Sequence, residues 1–434
     1  PRLPMHDTPF PPVDAARDGR KRLGDALLAR LDTLAGFTDG GAALTRLSLS
    51  PAHRAAAGWL AGWMEQAGMT ARVDAAGNVV GRYEGATPGA PAVLLGSHID
   101  TVRNAGTYDG TLGVVTAVAV VEELNRRGER LPFALEVIAF GDEEGVRFPV
   151  IFSGTRAVAG TFDPACLEAV DADGVRLGDA LAAFGGAPAA LAADPRTAAR
   201  VAGALAYLEV HIEQGPVLER AGVAAGVVTA INGVGRYRLE VTGMAGHAGT
   251  VPMAGRRDAL AAAADMVLAV ERQALHTPGL VATVGQMEVL PGAVNVIAGG
   301  ARLTLDVRSA DDRVRRDGAA AILDACAIIA QRRHVALTVE QTSETPAAPC
   351  TPALMDAFAA ALGRAGVEPK RLPSGAGHDA MVFAGVLPMA MLFVRCRGGV
   401  SHNPAESITA ADAGLAAAVL LDTLRHLPVQ ALLP

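Results

Sequence analysis

Apolar positions follow three rhythms along this chain. Between Ser48 and Thr70, Ala, Leu, Trp and Met recur at helical spacing behind a Ser-Pro start and stop near Gly68, which predicts an N-capped amphipathic helix. Ala92–Leu95 and Ala134–Phe140 are short, nearly continuous apolar runs bounded by glycine, the pattern of strands buried on both faces. Gly113–Arg127 between them reads as a helix stopped by Gly128, so the segment is a strand–helix–strand unit. Tyr207–Ile212 reads as a further strand.

From Gly235 to Gln341 the rhythm changes. Tyr237, Leu239 and Val241 alternate with polar residues, as do Leu303, Leu305 and Val307, the signature of a half-exposed sheet. Helices fit Arg256–Gln273 and Asp312–Arg333, and strands fit Leu280–Val289 and Val335–Gln341. The order strand, helix, strand, strand, helix, strand is the ferredoxin-like pattern, a four-stranded antiparallel sheet with two helices on one face. The expected fold class is therefore α/β, a larger domain with a mixed sheet into which a ferredoxin-like domain is inserted. The boundaries read 1–229 and 344–434 for the larger domain and 230–343 for the insert. The larger domain resumes with a helix near Ala353, the Gly375–Gly377 loop and an apolar strand at Met389–Val394. Ala180–Ala199 reads as Ala-rich helix and loop, and no repeat at a fixed period is evident.

Composition narrows the classes. Half of the 434 residues are hydrophobic and 19% are charged, enough for a substantial core in two or three domains. A net charge of −7 speaks against a nucleic-acid partner. No apolar run reaches the roughly 18 residues of a membrane span. Pro1–Arg22 lacks the apolar centre of a signal peptide. Cys166, Cys326, Cys350 and Cys396 are far apart with no CxxC pair, so reduced thiols and a cytoplasmic protein are expected.

Candidate chemistry sits just past the predicted strands of the larger domain, where open α/β sheets bind ligands. Gly96-Ser97-His98-Ile99-Asp100 and Tyr108-Asp109-Gly110 follow the first strand, and Gly141-Asp142-Glu143-Glu144-Gly145 follows Phe140. His211-Ile212-Glu213-Gln214-Gly215 and Ser401-His402-Asn403-Pro404 complete the set. A lone histidine after a strand is ordinarily a hydrogen-bonded structural residue, and paired glutamates are ordinarily solvated. Four strand-end clusters together are a different matter. Imidazoles with carboxylates are the ligands that zinc and similar divalent ions prefer, and a carboxylate between two such sites could bridge two ions.

The series SHIDTV, YDG, DEEGVRF, HIEQG, GHAGTVPM, SGAGHDAM and GGVSHNPAE resembles the amidase (hydantoinase/carbamoylase) branch of the dinuclear metal-dependent aminoacylase and carboxypeptidase superfamily. That branch includes N-carbamoyl-L-amino acid hydrolases, β-ureidopropionases and allantoate amidohydrolases. The match runs in order from about Leu47 to Glu406. The resemblance implies two divalent ions per subunit, Zn²⁺ or Mn²⁺, with His98 and His211 on one, Glu144 and His402 on the other, and Asp109 bridging. It implies Glu143 as general base, and Asp100 as the residue that hydrogen-bonds the His98 ring. The insert corresponds to the family's small lid and dimerisation domain, which implies a homodimer. His211 helps choose the branch, since the related peptidases typically carry a carboxylate there.

On the substrate side, Arg308 offers a planar fork suited to a carboxylate, although its residue type alone also fits an exposed strand arginine. Asn295 and Gln214 match family substrate contacts, and the Gly375–Gly377 loop, Gly377 included, could supply backbone N–H groups. His247 matches a histidine that reaches the partner subunit's site and stabilises the oxyanion. His378 matches the pattern as a further substrate residue or as an organiser of its loop. His6, His53, His276, His334, His426 and Arg395–Arg397 fit no motif. Ala105 stands where a second glycine is frequent.

The resemblance thus implies hydrolysis of the terminal ureido C–N bond of a small carboxylate. The segments VIAFGDEEGVRF, HAGTVPM and LFVRCRGGVSH favour allantoate, with N-carbamoyl-L-amino acids or β-ureidopropionate as the alternative. A non-catalytic small-molecule binding protein is a remote alternative, against which the intact ligand set and Glu143 speak.

Overall fold

A computed structural model describes residues 17–431. The expectation for the extreme N-terminus, with His6, concerns residues outside those described, apart from the start of the first helix. The chain divides into two compact units. The larger comprises, of the described residues, 17–229, 350–372 and 378–431, and the smaller Ala230–Pro349 and Pro373–Gly377.

In the larger unit the strands lie side by side in the order Thr70–Val73, Val79–Tyr83, Ala134–Phe140, Ala92–His98, Ala204–Ile212, Met389–Val394, Ala225–Ile231. The four from Ala134–Phe140 to Met389–Val394 are mutually parallel, and the strands that adjoin them, Val79–Tyr83 and Ala225–Ile231, run antiparallel to them. Every residue of Ala92–His98, Ala134–Phe140 and Met389–Val394 is buried, as central parallel strands covered by helices must be. The predicted amphipathic helix spans Pro51–Gln66; the Ser50 hydroxyl accepts from the His53 N–H, and Pro51 sits where no intrahelical donor is needed. Thr111–Arg126 connects the first two parallel strands and is apolar nearly all round, because it lies between the sheet and the helices Arg17–Ala35 and Ala410–Arg425. On Arg17–Ala35 the stripe Leu23, Leu27, Leu31 and Leu34 is fully buried.

The smaller unit has strands Gly233–Thr242, Val281–Leu290, Gly300–Ser309 and Ala336–Thr345 and helices Ala259–His276 and Asp312–Arg332. In chain order its sheet runs fourth, first, third, second, antiparallel throughout, which is the ferredoxin-like arrangement. Leu239 pairs with Leu303 across the central strands and Val241 with Ala301. Their side chains meet Met266, Val270, Ile322 and Ile329 of the helices in one core. The alternate positions Arg236, Arg238, Glu240 and Arg302 face outward in exposed ion pairs. The first helix starts three residues later than its apolar pattern predicts, because Asp258 caps it by accepting from the Leu260 and Ala261 N–H groups.

All four cysteines are free thiols. Among the described residues no helix is long and apolar enough to cross a membrane.

Candidate metal centre

The parallel strands of the larger unit all present their carboxyl ends to one edge of the sheet, and the predicted ligands are there. His98 is the last residue of its strand, and His211 is the penultimate residue of Ala204–Ile212. Asp109 occupies the turn before helix Thr111–Arg126, Glu143 and Glu144 follow Phe140, and His402 lies beyond Met389–Val394.

Asp109 is the hub. Its Oδ1 lies 3.4 Å from His98 Nε2 and 3.2 Å from His211 Nε2. Its Oδ2 lies 3.3 Å from His402 Nε2, which is itself 3.4 Å from Glu144 Oε1. One carboxylate therefore turns one oxygen to two imidazoles and the other to a third imidazole and a second carboxylate. The other ring nitrogens of the buried pair are tied to carbonyls: His98 Nδ1 to the Asp100 oxygen and His211 Nδ1 to the Ile212 oxygen, both at 2.9 Å. A carbonyl only accepts, so Nδ1 carries hydrogen and Nε2 faces Asp109, with a lone pair in the neutral ring and an N–H in the charged one.

A lone pair facing a carboxylate is repelled unless a proton or a metal cation lies between them. The electrostatics show the same demand. Burial opposes charge on His98, yet Glu143, Asp109 and Asp100 hold its pKa well above the usual imidazole value. Burial likewise disfavours a charged Asp109, but hydrogen bonds with His211, His402 and His98 keep its carboxyl well below the usual range. Burial pushes Glu144 up to about 7 and Glu143 well above an ordinary carboxyl, with Asp379 and Asp100 adding repulsion at Glu143. Two donor sets, His98–Asp109–His211 and Asp109–Glu144–His402, each have ligand atoms within 4.8 Å of one another. Nitrogen and carboxylate donors in this arrangement fit divalent metal ions.

Glu143 Oε2 stands 3.9 Å from His98 Nε2. The expected link from Asp100 to His98 is made by the Asp100 backbone carbonyl, while its carboxylate lies 3.9 Å from the ring nitrogen. That carboxylate instead accepts from the Glu143 N–H at 3.2 Å and the Glu144 N–H at 3.3 Å, so Asp100 fixes the segment carrying both glutamates. Gly110 packs against the His98 ring: a Cβ there would come within 2.5 Å of it, at a φ of 66°.

The remaining predicted residues behave differently. Gln214 donates from Nε2 to Asp109 Oδ2 at 2.8 Å, so its amide is turned towards the hub. His378 is 1% exposed and meets the His211 ring edge-on at 4.4 Å, so it packs against the ring of a candidate ligand. Burial and the neighbouring His211 hold it well below the usual imidazole pKa. His247, Asn295, Arg308 and Gly377 belong to the smaller unit. There, His247 is exposed, its Nδ1 accepts from the Gly249 N–H, and its strand residue pairs with Val296 beside Asn295. The Arg308 fork is engaged by Asp306 through Nε at 2.7 Å and Nη2 at 3.1 Å, and Nη1 donates to the Gly375 carbonyl at 2.8 Å. Gly377 is exposed.

Sequence reasoning missed four supporting acids and hydroxyls. Glu209 is fully buried two residues before His211 and accepts from Ser97 Oγ at 2.9 Å, the Ala380 N–H at 2.9 Å and the Tyr207 hydroxyl at 3.2 Å. Asp379 accepts from Thr155 Oγ1, and burial pushes it up to about 8. The signal was available: Glu209 is a charge inside the otherwise apolar strand ALAYLEVHI, on the same face as His211. Ser401 and Glu406, within GGVSHNPAE, are the other two. Backbone strain also gathers here, with Asp142, Gln214 and His402 at φ of 69°, 57° and 53°.

Comparison with known proteins identifies the family. A family model described as peptidase family M20/M25/M40 matches residues 94–426. The N-carbamoyl-L-amino acid amidohydrolase of Geobacillus stearothermophilus is 42% identical over 384 residues, covering 88% of this chain and 93% of the relative. Allantoate deiminase 1 of Glycine max is 39% identical over 442 aligned residues, covering 93% and 90%. The crystal structure of an amidase of the hydantoinase/carbamoylase family from Burkholderia multivorans matches with a TM-score of 0.87 at 35% identity, over 93% of this chain and 97% of that one. The chain belongs to peptidase family M20/M25/M40, within its hydantoinase/carbamoylase amidase branch, and is an amidohydrolase.

Proposed function

We propose that this enzyme cleaves the terminal ureido C–N bond of allantoate, releasing ureidoglycine, ammonia and carbon dioxide. The observation that carries the reading is the Asp109 carboxylate, with His98 and His211 on one oxygen and His402 on the other, beside Glu143. In this reading His98, His211 and Asp109 hold one divalent ion, and Asp109, Glu144 and His402 a second, Zn²⁺ or Mn²⁺. Such a pair supplies Lewis acidity to the unreactive ureido carbonyl and acidifies the attacking water.

The protein's own groups do the rest. Glu143 takes the proton of the water at its carboxylate and returns it to the leaving nitrogen; the burial that raises its proton affinity lets it hold that proton between the two steps. Asp100 keeps Glu143 in place through the backbone. Gln214, Asn295, Arg308 and the Gly377–His378 segment are the proposed substrate contacts, with Arg308 and Asn295 for the carboxylate. His247 is the proposed oxyanion donor, supplied across a homodimer. Light scattering should then give twice the chain mass of 44.3 kDa; a monomer at working concentration would remove His247 from that role.

The identity to the Glycine max deiminase supports allantoate, and the identity to the Geobacillus enzyme favours a second reading, N-carbamoyl-L-amino acids. Ammonia release by metal-loaded protein separates them, with allantoate and a panel of N-carbamoyl-L-amino acids compared by kcat/KM. Allantoate should lead. A carbamoyl amino acid in the lead installs the second reading, and silence on every ureido compound removes both. In the same assay Glu143→Gln should lose about 10²–10⁴-fold in kcat while still binding metal; undiminished turnover would take Glu143 out of the base role.

A further inference from the structure

Asp109 is held by a segment almost three hundred residues away. Glu406, 5% exposed, accepts with Oε1 from the backbone N–H groups of Tyr108 at 2.7 Å and Asp109 at 3.1 Å. Its Oε2 lies 3.0 Å from Ser401 Oγ, and that hydroxyl lies 2.6 Å from Asp109 Oδ2. The turn carrying Asp109 packs flush on Glu406, since a Cβ on Gly106 would fall 2.4 Å from the Glu406 side chain. The 401–406 segment is itself stitched: Glu406 N–H donates to the Asn403 carbonyl at 3.0 Å, and Ala405 N–H to Asn403 Oδ1 at 2.9 Å. His402 sits inside it with a left-handed φ of 53°, a conformation that persists only where neighbours over-determine it.

We propose that Glu406 and Ser401 are positioning residues for the shared carboxylate. Glu406 fixes the Asp109 backbone, and the Ser401 hydroxyl, together with the Gln214 amide, fixes the rotation of its carboxylate by pinning Oδ2. The segment that delivers His402 thereby also sets the ligand common to both ion positions. The inference rests on the reading of Asp109 as a shared metal ligand. Its physical ground is that a carboxylate serving two ions must keep its plane in one orientation, and outer partners of ligands supply that restraint. Ser401 has one hydroxyl hydrogen for two carboxylates, and the shorter contact, to Asp109, takes it. Glu406→Gln should therefore be tolerated. Its amide oxygen can keep both backbone donors, and its NH₂ gives Ser401 Oγ a donor in place of a second acceptor. Glu406→Ala removes the clamp and leaves two backbone N–H groups without an acceptor.

The test is calorimetric titration of Mn²⁺ into the chelator-stripped full chain, for the parent, Glu406→Ala, Glu406→Gln and Ser401→Ala. Glu406→Ala should weaken binding about 10–100-fold. Ser401→Ala should lose less in the same direction, and Glu406→Gln should bind as the parent does. Parental affinity in Glu406→Ala overturns the proposal, and so does a loss in Glu406→Gln as large as in Glu406→Ala, which would make the charge the cause. Should Glu406→Ala fail to fold, Ser401→Ala decides, parental affinity there being the contrary result. A parent chain that takes up neither Mn²⁺ nor, in the same titration, Zn²⁺ overturns the metal reading and this inference with it, whereas a parent that binds beside an unaffected Glu406→Ala overturns the positioning alone.

Discussion

Asp109 divides its two oxygens between neighbours that sequence separation hides: His98 is near in the chain, but His211 arrives from another strand and His402 from the loop beyond a third. The candidate ligand types were legible because His98, Glu143, Glu144 and His211 lie at or just past the ends of apolar runs, where a solvated charge is least expected. What those residues do locally was less legible. Asp100 works through its carbonyl on His98 and through its carboxylate on the Glu143–Glu144 backbone, a division that spacing cannot reveal. His53, which matched no motif, is buried, and its Nδ1 accepts from the Leu49 N–H at 2.8 Å. Burial first, then the Arg46 and Arg147 guanidinium groups, lower its pKa to about 3. Below about pH 6.5 the unfolded chain takes up a proton that the folded chain refuses until about pH 3, so stability falls with pH across that window. Between pH 6.5 and 5 this amounts to about 2 kcal/mol. Urea unfolding at pH 7 and pH 5 should show His53→Asn, which keeps an acceptor for Leu49, losing about 2 kcal/mol less than the parent over that interval. Equal losses would mean that His53 is not the acid-sensitive group.

Strands and helices carry the clearest record of the sequence pattern. Alternation along Gly300–Ser309 placed Leu303 and Leu305 on the core face, and they are 2% and 1% exposed there. Leu303→Ala should therefore cost about 2–5 kcal/mol. Its neighbour Arg302, in exposed ion pairs with Glu240 and Glu288, should cost no more than about 1 kcal/mol when truncated to alanine. Chemical denaturation of the two variants checks this, and equal costs would contradict the assigned face. Ends of elements were less legible than their centres. Strand Ala92–His98 continues three residues past its aliphatic run because Gly96, Ser97 and His98 remain in the ladder with the Ile138–Phe140 segment. Periodicity reads burial, and a buried histidine at a strand end looks polar to it. Glu209, buried by Ser97, Tyr207 and the Ala380 N–H, defeats the pattern for the same reason.

Across the whole chain, the inserted order of strands and helices was readable because the change from continuous to alternating apolar runs marks where one kind of sheet gives way to another. The closing contacts were not. The smaller unit also takes in Pro373–Gly377, joined to it by the Asn232 N–H to the Ser374 carbonyl at 2.9 Å and by Arg308 to the Gly375 carbonyl at 2.8 Å. Backbone acceptors carry no residue signature, so such links are invisible before folding. The larger unit gathers all five proposed ligands from strand ends and the loops that follow them, scattered between His98 and His402, so metal occupancy and turnover should rise together. Ammonia release from allantoate, or from the best ureido substrate, measured as Mn²⁺ is added back to chelator-stripped protein, tests this most directly. Activity absent without metal and reaching its plateau at two equivalents per chain is the result expected from an Asp109 shared between two ions. Release that survives complete stripping, or a plateau at one equivalent, would contradict it.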